Sequence, residues 1–393
     1  MTAEAVPAGR TEGIYSGLIT LACYGAMTFL GIGFAIVGAT ASEVGISASQ
    51  LGILLALQQV GFAIGLVLSG LAKSNRARAR ILSLGCFIMA AALAAFFRQA
   101  VFAINGLLMV GIGVGMGTFE GTTDPLLIQI HKERQSRQIN ISHFFVTVGA
   151  TGITAYLMSW PLDWHLSLLR LSLGALVVGL IFFAIPVPAA PAADPGTTAR
   201  EPVAPRFIFW LFAFGILVVG AELATMGFLP LYLVEAHRLA SSQSKAALLS
   251  FLLGVAGGRF ALGLLVKDER VASATVVTSA VATLAFSALF TVGQVGASVL
   301  YALAFFAGAG VAGLLPLMLA RGSRAAGPAA PRVMAILKLC IPVGGILAPV
   351  LAAQTTLWWG LRFAVLTIPI CTSGALVLSS RLEKAFKWKG TNF

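Results

Sequence analysis

Apolar runs long enough to cross a membrane recur along the whole 393-residue sequence. The hydrocarbon core of a bilayer is about 30 Å thick, and a helix rises about 1.5 Å per residue, so about 20 residues cross it. Because 58% of the residues are hydrophobic and only 10% are charged, no segment has the composition of a soluble domain. The sequence therefore predicts an all-α membrane protein with twelve transmembrane helices. The predicted spans are 14–39, 49–71, 81–97, 101–128, 139–159, 166–185, 207–233, 246–266, 272–292, 297–320, 333–353 and 360–380.

Residues 186–205, PVPAAPAADPGTTAREPVAP, interrupt these runs midway along the chain. Their Pro, Ala and Gly content predicts a cytoplasmic linker between an N-terminal six-helix bundle at 1–185 and a C-terminal one at 206–393. The halves resemble each other: the second run ends in GFAIGLVLSGLAKSNRARAR and the eighth in GVAGGRFALGLLVKDER. Two parallel halves of six helices are typical of the major facilitator fold.

The basic residues are distributed unevenly between the two sides of the membrane. Most lie in loops on one side, and the other side carries chiefly Arg98, Arg238 and Lys245. The positive-inside rule then predicts that both termini are cytoplasmic in a multi-pass protein of the inner cell membrane. The net charge of +12 is dispersed over these loops, so we expect no nucleic-acid partner. The N-terminus lacks the features of a signal peptide, which predicts that the first helix is retained.

Catalytic and metal-binding motifs are not found in the sequence. Cys23, Cys86, Cys340 and Cys371 occur singly, and the four histidines are scattered, so we expect neither a metal site nor a disulfide framework. No phosphate loop or nucleophile elbow supports the alternative of a membrane-embedded enzyme, a sensor or an ATP-driven pump. We therefore expect a monomeric secondary transporter without a cofactor, driven by the proton gradient, whose partners are a small-molecule solute and membrane lipid.

The stretch GVGMGTFEGTTDP at 113–125 places two acids at the end of an apolar run. Glu120 and Asp124 are four residues apart and share one helical face. A buried carboxylate persists only where it meets a cation, a proton or water, so both acids are functional candidates. The glycines at 113, 117 and 121 also recur every fourth residue, a spacing that favours close packing of a neighbouring helix.

Counting residues from the predicted cytoplasmic edge gives two layers of polar side chains. Glu120 and Glu222 lie nearer the midplane, where a desolvated carboxyl can bind and release a proton near neutral pH. These two are the candidate proton-coupling residues. The predicted inner layer contains Asp124, His143, Arg259 and Lys338. The candidate solute-binding residues are Glu120, Asn140, His143, Thr147, Glu222 and Lys338.

The inner layer is suited to a cytoplasmic gate formed by Asp124, Arg259 and Lys338. An ion pair between Asp124 and Lys338 would join the two halves and hold the inside closed. Alternatives stay open: Lys338 could pair with Glu120, or could attract a substrate carboxylate together with His143 and Arg259. His143 could instead hydrogen-bond to Asp124, and Arg259 could pair with a carboxylate or bond helix-end carbonyls.

Several patches resemble the fucose/proton symporter family of the major facilitator superfamily. They are GMGTFEGTTDP followed by NISHFFVTVGA, then VVGAELATMGFLPLYLVE and GGRF. The resemblance implies that Glu120 is the cavity glutamate linked to proton coupling and that His143, three residues after Asn140, lines the sugar cavity. Glu222 matches a polar position of the seventh helix in that family.

Two departures from the family pattern affect the predicted substrate. The first run, GIYSGLITLACYGAMTFLGIGFAIVGA, contains no acid, whereas the family has a functional carboxylate there, and Lys338 adds a cation to the eleventh helix. The resemblance implies proton symport of a sugar-like solute by alternating access. The alternatives are transport of an organic anion, which the lysine favours, and export of an amphipathic compound by proton antiport.

Overall fold

The structure is a computed structural model that describes residues 8–98, 101–131, 135–159, 163–186, 205–265, 270–326 and 330–387. Within these ranges the longer regular elements are all α-helices. In chain order they are α1 (Ala8–Val44), α2 (Ala48–Gly70), α3 (Asn75–Ala95), α4 (Phe102–Ile130), α5 (Gln135–Ser159), α6 (Trp164–Ala184), α7 (Pro205–His237), α8 (Ser241–Leu265), α9 (Val271–Thr291), α10 (Ala297–Val311), α11 (Leu314–Ala326), α12 (Ala330–Lys338), α13 (Cys340–Trp359), α14 (Leu361–Ala364) and α15 (Thr367–Lys387).

The predicted twelve-helix fold is confirmed, because twelve segments in the described ranges are long and apolar enough to cross a membrane. Most of their bounds lie close to the predicted ones. The third span begins at Asn75 rather than at 81, since its first turns carry arginines that hydropathy alone assigns to a loop. The predicted tenth, eleventh and twelfth spans each consist of two helices, α10 and α11, α12 and α13, and α14 and α15.

The chain divides into two compact units. Unit 1 comprises residues 1–33, 60–152 and 162–194, and unit 2 comprises residues 34–59, 153–161 and 195–393. The end of α1 and the start of α2 therefore belong to the same unit as α7 to α15. The division into halves at 186–205 stays a prediction, because most of the predicted linker lies outside the described residues.

In unit 1, α2 and α4 pack closely through glycines. A Cβ atom placed on Gly117 would lie 2.0 Å from the carbonyl oxygen of Phe62, and one on Gly61 would lie 2.0 Å from that of Val110. Only glycine permits this approach of two backbones, which is how small residues bring membrane helices together. The close packing predicted from the glycine repeat is confirmed at Gly117 and at Gly121, where an added Cβ would meet Ser69.

In unit 2, α8 and α10 pack in the same manner. An added Cβ on Gly254 would lie 2.0 Å from the carbonyl oxygen of Phe305, and one on Gly308 would lie 2.0 Å from that of Phe251. The second and eighth spans thus share both a sequence pattern and a mode of packing. Such backbone-to-backbone contact makes each helix pair a rigid support for the side chains on its other faces.

Asp163 forms the N-terminal cap of α6, outside the membrane-spanning segments. Its carboxylate accepts a hydrogen bond of 2.9 Å from the backbone N–H of His165, which satisfies one of the free donors at the helix start. This backbone bond, together with the 3.0 Å contact to the imidazole of His165, holds the pKa of Asp163 below its usual value.

Candidate proton and solute site

Unit 1 brings Glu120 and Asp124 of α4 together with His143 of α5, and we call these three residues the α4–α5 cluster. One ligand atom from each side chain lies within 4.8 Å of the other two. His143 Nε2 is 3.3 Å from Asp124 Oδ2, and the hydroxyl of Ser142 donates a bond of 3.5 Å to Asp124 Oδ1. Glu120 is only 7% exposed. The cluster therefore joins a buried carboxyl to a second carboxyl and an imidazole.

The composition of the α4–α5 cluster makes its charge variable. Two ionised carboxylates this close repel each other, and burial strengthens the repulsion because little water screens it. A proton bound to either carboxyl, or to the imidazole, reduces that repulsion. The same donor set could hold a cation, and the expectation that the protein has no metal site stays a prediction.

The other predicted solute-binding residues of unit 1 lie along α5. Thr147 is half-buried one turn after His143, and its carbonyl oxygen accepts a 2.7 Å hydrogen bond from the hydroxyl of Thr151. The side chain of Asn140 lies outside the described residues. The described polar side chains on this part of α5 include Ser142, His143, Thr147 and Thr151.

Unit 2 contains a second buried acid, Glu222 of α7, paired with Arg259 of α8. Arg259 Nη2 lies 3.2 Å from Glu222 Oε1, and the side chains are 34% and 9% exposed. The Nε of Arg259 also donates a 3.2 Å hydrogen bond to the carbonyl oxygen of Ala312, where α10 gives way to α11. Both bonds considered for Arg259 from the sequence, to a carboxylate and to a helix-end carbonyl, are therefore present.

The Glu222–Arg259 pair crosses the two layers inferred by residue counting. Counting placed Arg259 in the inner layer and Glu222 nearer the midplane, because it located only the backbone of each residue. An arginine side chain is long enough to carry its guanidinium several ångströms along the membrane normal. Glu222 is thus paired with a guanidinium that is always charged.

A small cavity in unit 2 has two glutamine side chains in its wall. Gln58 and Gln59 of α2 line a volume of about 10 Å³ together with Phe34 and Leu223. The Oε1 atom of Gln59 is buried and accepts no hydrogen bond from any described residue. A buried amide oxygen without a donor is costly, about 1–3 kcal/mol, and a cavity of this size has room for about one water molecule that could donate to it.

Lys338, the predicted cation of the eleventh helix, is half-buried at the last residue of α12. The helix is interrupted at Leu339 before α13 begins. A cation at a helix C-terminus is favoured by the partial negative charge of the last carbonyls. Asp124 and Lys338 belong to different units, so the predicted gate between them stays a prediction.

A further ion pair in unit 2 escaped the sequence analysis. Lys245 near the start of α8 donates a hydrogen bond to Glu43 Oε1 near the end of α1, and the hydroxyl of Ser241 donates to the same oxygen. The hydroxyl of Ser42 donates a 3.0 Å bond to Glu43 Oε2. The side chain of Lys245 is only 8% exposed, and that of Glu43 is 29% exposed.

The first membrane-spanning helix extends beyond the run that contains no acid. The first membrane-spanning segment runs from Tyr15 to Val44 and so includes Glu43, beyond the end predicted at 39. Opposite charges on the same predicted side of the membrane, Glu43 and Lys245, were the signal available in the sequence.

The sequence matches one family model, described as the Major Facilitator Superfamily, over residues 17–328. No curated protein gives a significant match. The match covers most of the chain, from α1 to α11.

Solved structures of transporters share the fold. A bacterial homolog of the human lysosomal transporter Spinster aligns with a TM-score of 0.74 at 14% identity, covering 95% of this chain and 98% of its own. A D-xylose–proton symporter aligns with a TM-score of 0.72 at 12% identity, and the alignment covers 93% of this chain and 97% of the symporter. The transporter FucP, in its outward conformation, aligns with a TM-score of 0.58 at 16% identity, and the alignment covers 91% of this chain and 98% of FucP. At these identities the likeness shows a common fold and leaves the solute open.

Proposed function

The chain belongs to the major facilitator superfamily, and we propose that it moves a small polar, sugar-like solute together with protons. Like its structural neighbours it is a membrane transporter and not an enzyme. The observation that carries the proton-coupling proposal is the α4–α5 cluster, in which a buried carboxyl lies beside a second carboxyl and an imidazole. We place the protein as a monomer in the inner cell membrane, with the proton gradient as its driving force.

Glu120 is the proposed proton carrier, and Asp124 and His143 adjust its surroundings. A proton on Glu120 removes one of two neighbouring negative charges, which favours the state in which the site is shielded from water. Loss of that proton restores the repulsion and favours a hydrated, open site. Protonation and solute occupancy are thereby linked through one conformational equilibrium.

The solute proposal is supported by neutral hydrogen-bonding groups in unit 2. In a conformation in which their small cavity is wider, the free acceptor on Gln59 and the neighbouring amide of Gln58 would suit the hydroxyl groups of a sugar, and Phe34 in the same wall offers an apolar face. A D-xylose–proton symporter among the neighbours is consistent with this class of solute. The cations Arg259 and Lys338 keep an organic anion as the second candidate, and Arg259 already has Glu222 as its partner.

We further propose that the Glu43–Lys245 pair closes the side of the protein opposite the basic loops. Alternating access requires each side to open and close in turn, and an ion pair between the ends of two spans can hold one side closed. Close approach nearby supports this role: an added Cβ on Gly38 would lie 2.0 Å from the carbonyl oxygen of Met226.

Loss of the pair should expose this closed side. A cysteine introduced at Gln58 is expected to react faster with a membrane-impermeant thiol reagent in a Lys245→Ala background, by roughly threefold or more, because the closed state loses one buried pair. Lys245→Arg preserves the charge and serves as the control. Equal labelling in all three backgrounds would show that the pair does not form a gate.

The transport proposal is tested by the pH change that a solute gradient drives in proteoliposomes. Hexoses, deoxyhexoses and sugar acids are added to vesicles containing the wild type, Glu120→Gln or the control Glu235→Gln, which alters an exposed acid of α7. Solute-dependent alkalinisation of the outside medium is expected in the wild type and in the control but not in Glu120→Gln. Solute uptake without proton movement in all three would reject proton coupling, and a response only to sugar acids would establish the organic-anion alternative.

A further inference from the structure

A groove in unit 1 lies between the end of α2, the first half of α3 and the middle of α4. It encloses about 450 Å³, within the range of about 300–1,000 Å³ found for small-molecule sites. Its walls are apolar over most of their length, with exposed leucines at 68, 71 and 84. In a membrane protein such exposed apolar walls face hydrocarbon, so an acyl chain can lie against them.

One stripe of α3 runs along the groove from charged to apolar residues. Arg76, Arg80, Leu84 and Ile88 all line it and recur every fourth residue, so they lie on one face of the helix. The stripe is about 18 Å long, since twelve residues separate its ends at about 1.5 Å each. A cationic end followed by an apolar length matches the order of headgroup and acyl chain in a phospholipid.

The cationic end of the groove contains two guanidinium groups, those of Arg76 and Arg80. Arg76 and Arg80 are exposed, and among the described residues neither forms an ion pair. Ser74 lies beside them and caps the N-terminus of α3, accepting a hydrogen bond from the N–H of Ala77. Two guanidinium groups near a helix N-terminus favour a phosphate, which accepts paired N–H bonds.

Arg78 provides an internal comparison, because it points away from the groove. It does not line the cavity, and its Nη1 donates a 3.0 Å hydrogen bond to Asn75 Oδ1. All three arginines lie in the same two turns and contribute the same charge to the membrane surface. A site built by the groove should therefore depend on Arg76 and Arg80 and not on Arg78.

We propose that this groove binds an anionic phospholipid, with the phosphate on Arg76 and Arg80 and an acyl chain along Leu84 and Ile88. A free phosphate would satisfy the arginines and leave the apolar wall without an occupant, so the lipid accounts for both parts of the groove. The proposal concerns a site separate from the proposed proton and solute residues, and it does not depend on the transported solute.

The test is competitive lipid retention by the full-length protein in detergent, followed by native mass spectrometry. Phosphatidylglycerol and phosphatidylcholine are supplied in equal amounts to the wild type, Arg76→Ala/Arg80→Ala, Arg76→Lys/Arg80→Lys and Arg78→Ala. The wild type and Arg78→Ala are expected to prefer phosphatidylglycerol over phosphatidylcholine by about thirtyfold, the scale expected for two basic residues near an anionic lipid. The double alanine variant should lose the preference, and the double lysine variant, which keeps the charge, should keep part of it.

Other outcomes would overturn the proposal. An equal loss of preference in Arg78→Ala would mean that general surface charge, and not the groove, attracts the lipid. Displacement of phosphatidylglycerol by millimolar inorganic phosphate would mean that the arginines bind the anion alone. The double alanine variant could fail to fold. In that case a further variant, Leu84→Trp, fills the apolar wall of the groove. If both this variant and the double lysine variant kept the full preference for phosphatidylglycerol, the site would equally be rejected.

Discussion

The α4–α5 cluster and the Glu222–Arg259 pair place a buried acid in each unit, but the acids have opposite kinds of partner. Glu120 lies beside a carboxyl and an imidazole, whose charges both depend on pH. Glu222 lies 3.2 Å from a guanidinium, which stays charged at every physiological pH. The proposed proton carrier therefore has neighbours whose charges can change, whereas Glu222 has a neighbour whose charge is fixed. The comparison favours Glu120 over Glu222 as the coupling residue, although the sequence nominated both.

The largest expected effect separates the two acids directly. Glu120→Gln should reduce solute-driven proton movement by about tenfold or more, because an amide cannot exchange a proton. Glu222→Gln should retain coupling, since its carboxylate is expected to stay paired with Arg259. The measurement is the solute-induced pH change in proteoliposomes, normalised to protein content. A complete loss of coupling in Glu222→Gln with coupling intact in Glu120→Gln would reverse the assignment.

A smaller effect on stability is expected at the pair. Arg259→Ala leaves Glu222 buried without its cation and removes the bond to Ala312, so unfolding should become easier by about 1–3 kcal/mol, reduced because the arginine is partly exposed. The double variant Glu222→Gln/Arg259→Ala should recover part of this loss. Thermal unfolding in detergent measures both, with the exposed Arg206→Ala as control. If the double variant lost more unfolding free energy than Glu222→Gln and Arg259→Ala lose together, a simple ion pair would be contradicted.

The smallest expected effect concerns the pH profile. His143→Gln keeps a hydrogen-bonding group near Asp124 but removes the imidazole, which gains a proton as the pH falls. Below the pH at which the imidazole is protonated, the wild type has an ion pair and the variant does not. The ratio of uptake at acidic to neutral pH should therefore change by roughly threefold, with little change at alkaline pH. An identical profile in both proteins would leave His143 a structural partner of Asp124 only.

The fold could be predicted from the sequence largely because hydrocarbon requires long apolar helices, and this requirement is local. The interruptions at Ala312 and Leu339 were not predicted, since the apolar sequence continues through them. Arg76 and its neighbours were assigned to a loop because a helix can extend beyond the hydrocarbon without an apolar sequence.

Local parts of the candidate site were also predictable. The contact of His143 with Asp124 joins adjacent helices linked by a short loop, and it was among the alternatives considered. Pairs such as Glu43–Lys245 join residues far apart in sequence. Their formation depends on which helix faces approach each other, and residue counting along single helices does not contain that information.

The glycine contacts in the two units have a genetic consequence. An added Cβ on Gly117 would strike the carbonyl oxygen of Phe62, and one on Gly254 would strike that of Phe305, each at 2.0 Å. Every amino acid carries the same carbonyl group, so no second mutation at the facing residue can restore the space. Selection for suppressors of Gly117→Ala should return glycine itself. At Gly227, where an added Cβ would strike the Leu55 side chain at 2.3 Å, a smaller residue in place of Leu55 should suffice as a suppressor.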